Sequence, residues 1–281
     1  MLGLKDTSLD AENYQIKLLQ ACSIEKRLNL FFSLSNTVLE LSQQAIRETK
    51  KDEILAIIKY QYSKTLEEEV KNYLTNFTEN YLKEKSMSKL DILSAIIPII
   101  ETFNKLDIKY HIGGSFASSA YGVLRATANI DLMADISSKD ISEIINSLDN
   151  AYYLSEASIK TAISNQTSFN LIHLGSILKI DIFIPKSRDY DKEVMQRALS
   201  KKLEIDNNIL TFYLKSAEDI ILTKLEWYKL GGEVSERQIS DVLGVLRVQV
   251  NNLDFVYLKK WAVELKIDDL LQRVIEEAGR F

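Results

Sequence analysis

The sequence is poor in the residues that build disulfide frameworks and zinc sites. Among its 281 residues there is one cysteine, Cys22, which excludes an internal disulfide and a cysteine-based zinc site. Only two histidines are present, His111 and His173, which leaves little from which to build a His-ligated zinc site or a Ser-His-Asp triad. Zinc chemistry is therefore not expected.

Long apolar segments are also lacking. The longest one, residues 92–100, is interrupted by Pro98 and flanked by Asp91 and Glu101. It falls well short of the roughly 18–20 residues that a membrane span needs. The first ten residues show no apolar stretch behind a basic start, so a secretory signal is not expected. We expect a cytoplasmic protein that does not associate with a membrane.

Basic residues are slightly fewer than acidic residues. The chain has 35 basic and 40 acidic residues, for a net charge of −5. This balance argues against a surface that coats nucleic acid by neutralising phosphates, although it leaves room for a local basic groove. The 46% hydrophobic and 27% charged content is typical of a soluble globular protein.

Periodicity divides the chain into three parts. Apolar residues recur at three- and four-residue steps before residue 104 and again after Ser216, the pattern of helices. Between them, short β-prone segments alternate with helices. We predict an α+β fold whose mixed sheet has flanking helices, with the following parts: a helical N-terminal module (1–85), an α/β core (86–215) and a helical C-terminal segment packed on the core (216–281).

Three local predictions refine this division. Residues 168–174 and 177–184 are expected to pair as a hairpin around a Gly-Ser turn. Residues 189–202 are expected to form a helix, and the weakly patterned residues 78–87 a linker.

Strand parity identifies two carboxylates. Side chains alternate between the two faces of a strand. In residues 129–136 the even positions are apolar, which leaves Asp131 on the opposite face, and residues 178–184 present Asp181 in the same way. If the two strands are neighbours, these like charges converge and favour a cation between them. Oxygen ligands without nearby histidine or cysteine suit Mg²⁺.

A glycine turn precedes the first of these strands. Gly113, Gly114 and Ser115 join a predicted strand to a predicted helix. Glycine allows a backbone to approach a ligand closely, and the first N–H groups of a helix are free to bind an anion. The Ser115 hydroxyl could add a donor to a triphosphate.

The turn and the strand together resemble a known signature. Residues 111–117 (HIGGSFA) and 121–132 (YGVLRATANIDL) resemble the signature of the DNA-polymerase-β-like nucleotidyltransferase superfamily. Similar bacterial members show Gly-Gly, a small helix, Arg-x-Thr-x-Asp-x-Asp, and a third aspartate on a later strand. The resemblance implies a nucleotidyltransferase fold in which Gly114 and Ser115 hold the triphosphate of an NTP.

The same resemblance assigns the metal ligands and shows one departure. Asp131 and Asp181 take the second and third metal positions, and Arg125 and Thr127 match the run before the first. The first metal carboxylate falls on Asn129, whose amide oxygen can ligate Mg²⁺ but brings no negative charge. Asp135 cannot replace it, because it lies about 13 Å from Asp131 along the strand. The enzyme is slow, or another group compensates, or the site only binds.

The C-terminal segment extends the resemblance to a narrower group. Residues 216–242 resemble the tail of bacterial proteins similar to abortive-infection-type nucleotidyltransferase toxins, which function in toxin–antitoxin pairs. The resemblance implies that Lys224 is catalytic and that Arg237 and Asp241 contribute to the nucleotide site. Residues 24–62 more loosely resemble small helical proteins found with such domains, which implies a surface for a partner protein.

Plainer interpretations stay open for several of these residues. Arg125 and Thr127 could only shape a turn, and Asp241 could form a surface ion pair with Arg237 one helical turn away. His111, His173 and Trp227 are expected in the core.

Two functions are therefore carried forward. The first is Mg²⁺-dependent transfer of a nucleoside monophosphate from an NTP to a hydroxyl of RNA or protein. The second is a degenerate nucleotide-binding or partner-binding protein of the same fold, which Asn129 favours.

Overall fold

The computed structural model describes residues 9–48, 92–127, 129–176, 178–205 and 208–279. The chain divides into two compact units, Met1–Ser35 with Ile92–Phe281, and Asn36–Asp91. The linker predicted over residues 78–87 lies outside the described residues, and the three-part division stays a prediction.

Eleven α-helices and seven strands are formed by the described residues. The helices are α1 (Leu9–Ala21), α2 (Ile24–Glu48), α3 (Ile92–Lys105), α4 (Gly114–Tyr121), α5 (Ile141–Leu148), α6 (Glu156–Asn165), α7 (Asp189–Gln196), α8 (Ala217–Leu230), α9 (Glu236–Gln249), α10 (Phe255–Glu264) and α11 (Asp268–Ala278). The strands are β1 (Tyr110–Ile112), β2 (Asn129–Ala134), β3 (Tyr152–Tyr153), β4 (Ser168–His173), β5 (Leu178–Phe183), β6 (Leu199–Ile205) and β7 (Asn208–Leu214). No described helix is long and apolar enough to cross a bilayer.

The seven strands form one mixed sheet in the order β3-β4-β5-β2-β1-β7-β6. Strands β2 and β5 run parallel, as do β1 and β7, and every other neighbouring pair is antiparallel. The predicted α+β architecture with a mixed sheet and flanking helices is confirmed. The hairpin of β4 and β5 is also present, with Ser168 opposite Phe183 and His173 opposite Leu178.

The helix predicted over residues 189–202 was wrong in its second half. Helix α7 ends at Gln196, and Leu199–Ile205 forms strand β6, which pairs along its whole length with β7. The leucine, lysine and glutamate residues of this segment favour a helix in isolation. Pairing with β7 buries Leu203, so the neighbouring strand overrides the local preference.

Aromatic packing fixes the helix that follows the glycine turn. Phe116, in the first turn of α4, meets Phe31 and Phe32 of α2 edge to face, with ring centroids 5.1 and 5.4 Å apart. All three rings are buried. Edge-to-face pairs add to the free energy of burial itself, so this contact holds the start of α4 in place.

The C-terminal end of α4 packs directly on the backbone of α9. A Cβ placed at Gly122 would lie 2.8 Å from the Val245 nitrogen and 2.9 Å from the Gly244 carbonyl carbon. The Gln249 side-chain amide donates a hydrogen bond of 2.8 Å to the Tyr121 carbonyl at the same contact. Helix α9 is therefore held against the helix that carries the glycine turn.

We predict that Gly122→Ala destabilises the protein by about 2 kcal/mol, because the added methyl group meets backbone that cannot rotate away. Gly279→Ala is the matched control. Its Cβ would meet the Ile275 carbonyl oxygen at 3.5 Å, an ordinary contact, so its free energy of unfolding should change by less than about 0.5 kcal/mol. Urea denaturation measures both, and equal stability of the two variants would contradict the α4–α9 contact.

Candidate functional site

A cavity of about 680 Å³ lies over one face of the sheet and is lined also by α7, α8 and α9. Its volume falls within the roughly 300–1,000 Å³ that is usual for small-molecule sites. The predicted site residues that line it are Gly113, Gly114, Ser115, Thr127, Asn129, Asp131, Lys224, Arg237 and Asp241. Arg125 and Asp181 adjoin these residues through direct contacts.

The two carboxylates are neighbours across parallel strands. The register of β2 and β5 places Asp131 beside Asp181, and adjacent strands lie only about 4.8 Å apart. Burial, followed by the Asp181 charge, raises the pKa of Asp131 above its usual value. A cation near this pair would therefore stabilise the ionised form of Asp131.

The glycine turn lies directly against Asp131. The Gly113 N–H donates a hydrogen bond of 2.8 Å to the Asp131 carbonyl. Gly114 has a φ of +53°, and a Cβ there would lie 1.7 Å from Oδ2 of Asp131. Glycine is thus required at position 114 both by its backbone conformation and by the adjacent carboxylate.

Asp241 anchors two cations beside the turn. Arg125 donates from Nε to Oδ1 of Asp241 at 3.3 Å and from Nη2 to Oδ2 at 3.2 Å. Lys224 donates to the same Oδ2 at 2.8 Å. Although burial opposes it, these two cations lower the pKa of Asp241. The carboxylate that pairs with Lys224 comes from α9, and it is Asp241, which the resemblance of residues 216–242 had grouped with this lysine.

Ser115 is the point on which the arginines converge. The Arg125 Nη2 donates to Ser115 Oγ at 2.5 Å, and the Arg237 Nη2 approaches the same oxygen at 3.5 Å. Burial, and then the neighbouring Arg125 charge, lower the pKa of Arg237. The structure contains no hydrogen bond between the described Arg237 and Asp241 side chains, in contrast to the simple surface pair that their spacing allowed. Arginines gathered at a helix N-terminus are suited to bind a polyanion.

Thr127 shapes the entry into β2. Its hydroxyl donates to the Asn129 carbonyl at 3.0 Å and accepts from the Asn129 N–H at 3.2 Å. Its own N–H donates to Ser35 Oγ at 3.3 Å. The two hydroxyl bonds are local, and the third joins the Thr127 backbone to a side chain of α2.

A lysine that sequence reasoning did not single out neutralises one carboxylate. Lys179 lies beside Asn129 in the register of β2 and β5, and its Nζ is 2.8 Å from Oδ1 of Asp181. The parity of β5 already placed Lys179 and Asp181 on one face, and only the alignment with Asn129 was missing. A fixed positive charge thus lies next to Asn129, where the resemblance expects the first metal carboxylate.

The oxygen donors fit one divalent ion only in part. Within the described ranges, no group of three or more Asp, Glu, His or Cys side chains is placed to hold a metal ion. Asp131, Asp181 and the Asn129 amide remain as hard oxygen donors. Mg²⁺ commonly takes one or two carboxylates and completes its shell with phosphate oxygens and water. These oxygen donors therefore fit an ion that binds together with a triphosphate, if Asp181 gives up its ion pair with Lys179 and binds the ion instead.

His111 lies in the core as expected, whereas Trp227 does not. His111 is buried, at 1% exposure, but it lines the cavity and neither ring nitrogen hydrogen-bonds another described residue. Trp227 is 53% exposed at the cavity and meets Phe183 with ring centroids 6.5 Å apart. The expectation of a core position was therefore wrong for Trp227, which faces the open cavity. His173 matches the expectation, with its Nδ1 2.8 Å from Ser176 Oγ.

Neither a protein-family model nor a curated protein sequence matches this chain. Among solved structures it is similar to an antigenic nucleotidyltransferase-like protein from Paracoccidioides brasiliensis, at 14% identity and a TM-score of 0.39, over 66% of this chain and 92% of that one. It is also similar to the antibiotic-resistance factor ANT(2")-Ia in complex with adenylyl-2"-tobramycin (14% identity, 62% and 96% of the two chains, TM-score 0.39). A third is the lincomycin-bound lincosamide antibiotic adenylyltransferase LnuA (13% identity, 55% and 96%, TM-score 0.35). These likenesses are distant, and the assignment of a function rests on the geometry of the site.

Proposed function

We propose that this chain binds a nucleoside triphosphate in the cavity and transfers its nucleoside monophosphate to a hydroxyl group of an acceptor. The observation that carries the proposal is that Ser115, Lys224 and Arg237 line the same cavity as Asp131, with Arg125 bound to Ser115. The cradle is defined as Ser115, Arg125, Lys224 and Arg237 with the first N–H groups of α4.

The cradle is suited to the phosphates. Three cations exceed the single negative charge of Asp241, which fixes Arg125 and Lys224 in place. A phosphate group can accept hydrogen bonds from the Ser115 hydroxyl, from Arg237 and from the free N–H groups at the start of the helix. Hydrogen bonds between charged groups contribute about 1.5–3 kcal/mol each, enough to orient a triphosphate.

The carboxylates are suited to the transfer. The acceptor oxygen forms a bond to the α-phosphorus while the bond from that phosphorus to the bridging oxygen breaks, and pyrophosphate leaves. The proton of the acceptor hydroxyl passes to a carboxylate of the Asp131–Asp181 pair, which lies next to the cradle. A Mg²⁺ ion held by Asp131, Asp181 and the Asn129 oxygen would supply further neutralisation of the phosphate charge.

The acceptor that we propose is a hydroxyl of RNA or of a protein side chain. The net charge of −5 favours the smaller or less anionic of these partners. Membership of the abortive-infection-type toxin group, and a partner protein bound through the N-terminal helices, stay predictions from the resemblance of residues 216–242 and 24–62.

A second candidate is a protein of the same fold that binds nucleotide without transferring it. Two observations favour it. Asn129 lacks the negative charge of the carboxylate that the resemblance expects there, and Lys179 adds a positive charge beside Asp181. Both changes weaken the attraction of the site for a divalent ion.

Arg237→Met is predicted to weaken the binding of Mg·ATP at least tenfold, because it removes a guanidinium beside Ser115. Arg273→Met is the matched control, since Arg273 is exposed and pairs with Glu233 outside the cavity. Isothermal titration calorimetry measures both affinities. An equal loss of Mg·ATP affinity in the two variants would rule out the cradle. The absence of ATP binding to the wild-type chain would also rule it out.

Label transfer from radioactive NTPs in a cell extract separates the two candidate functions. If the chain is an enzyme, the wild type labels an RNA or a protein, and Asp131→Asn abolishes the label, because it removes the carboxylate at the turn. Asn129→Asp should raise the rate, since it restores the third negative charge. Binding of ATP without any label in the wild type would favour the non-transferring protein.

Lys179→Met is predicted to tighten the binding of Mn²⁺, used as a spectroscopic substitute for Mg²⁺, by roughly tenfold, because it removes a cation from Asp181. Lys160→Met is the control, since Lys160 is exposed and pairs with Glu156 on α6. Electron paramagnetic resonance counts free Mn²⁺ without requiring activity. Unchanged affinity in Lys179→Met would show that this lysine does not compete with the ion.

A further inference from the structure

Lys215, His111 and Thr223 are among the polar residues of the cavity lining that the proposed transfer does not use. We propose that they form an oxyanion subsite, which binds a carboxylate or phosphate group of the acceptor. This inference rests on the proposed function, because it assigns the remainder of the nucleotide cavity to the second substrate.

Lys215 lies just after β7, where its N–H donates to the Ile112 carbonyl at 2.9 Å. Its Cδ would lie 4.0 Å from a Cβ placed at Gly113, so the side chain runs past the glycine turn. The residue is only 5% exposed, and its ammonium donates one hydrogen bond, of 2.9 Å, to Thr223 Oγ1. An ammonium has three donors, so two remain for a ligand.

The carboxylates nearest to this ammonium are committed elsewhere. Asp191 and Glu226 also line the cavity, but Arg188 binds both of them. Asp219 accepts hydrogen bonds from a serine and a tyrosine hydroxyl. Lys215 forms no ion pair with any carboxylate of the described residues, and burial lowers its pKa. Asp219, Asp191 and Glu226 offset part of this effect from a distance. A buried ammonium without a direct ion pair is costly, and a bound anion lowers that cost.

His111 supplies a third hydrogen-bond donor for the anion, in addition to the two that remain on the Lys215 ammonium. It lies on β1 with its ring in the cavity wall, and neither ring nitrogen hydrogen-bonds another described residue. Burial, and then the Lys215 charge, lower its pKa well below the usual value, so the imidazole is neutral and keeps one N–H. Buried polar atoms are nearly always hydrogen-bonded, and an oxyanion would satisfy His111 and Lys215 together.

The subsite differs from the cradle in its charge balance. Arg125 and Lys224 of the cradle share the carboxylate of Asp241, whereas Lys215 has only the neutral Thr223 hydroxyl. A neutral ligand group would leave the Lys215 ammonium without a direct ion pair. The chemistry therefore selects an anionic group, and an acceptor that carries a carboxylate or phosphate near its reactive hydroxyl meets this requirement.

The test uses the two histidines as reporters, since the chain has no others. Imidazole resonances are followed by NMR while inorganic phosphate or acetate is added at constant ionic strength. The His111 resonances should shift with added anion until the site is saturated. The resonances of His173, which is hydrogen-bonded to Ser176 outside the cavity, should not shift. A response to phosphate alone would identify a phosphoryl group on the acceptor, and a response to acetate a carboxylate.

Lys215→Met should weaken the anion affinity measured from the His111 shifts at least tenfold. Lys229→Met, a change at an exposed lysine outside the cavity, should leave that affinity unchanged. Because Lys215→Met removes a buried charge that has no direct ion pair, it should also raise the Tm without ligand. Phosphate should raise the Tm of the wild type and not that of the variant. If Lys215→Met does not fold, Thr223→Val removes the hydroxyl that orients the ammonium and should weaken the response several-fold.

ATP binding measured on the same samples separates the two proposals. If ATP binds but His111 does not respond to either anion, the subsite is overturned and the proposed function stands. If His111 responds but ATP does not bind, the subsite is supported and the proposed function is overturned. An equal response of His111 to chloride, or displacement of phosphate by ATP, would overturn the assignment to the acceptor.

Discussion

The site depends on the parallel register of two strands, which brings two like charges together inside the protein. Asp131 and Asp181 lie side by side because β2 pairs with β5 in this register and no other. Two carboxylates at this separation repel each other in a partly buried site, and cations on several sides offset this repulsion. Lys179 comes from the same sheet, whereas Lys224 comes from α8 and Arg237 from α9.

Packing away from the site keeps these charges in position. The backbone contact between Gly122 and α9 holds the helix that carries Asp241 close to the helix that carries Ser115. The rings of Phe31 and Phe32 press on Phe116 and hold the start of α4. The proposed phosphate cradle draws on α4, α8 and α9 and needs such rigid contacts, because hydrogen bonds are directional.

The parts of the molecule that the sequence predicted are those with a local cause. Alternation along β2 and β5 placed Asp131 and Asp181 on the polar faces, and the glycine pair predicted the turn against Asp131. The β4–β5 hairpin had its own turn signal. What escaped prediction depends on segments far apart in the chain: β6 exists because β7 pairs with it, and Lys179 matters because the register sets it beside Asn129.

The most direct test of the central claim is an experimental structure of the chain with Mg²⁺ and a non-hydrolysable ATP analogue. The account predicts a phosphate within hydrogen-bonding distance of the Ser115 hydroxyl and of Arg237, with Asp131 on the side of the α-phosphate. A nucleotide bound outside this cavity, or phosphates that contact neither Ser115 nor Arg237, would contradict it.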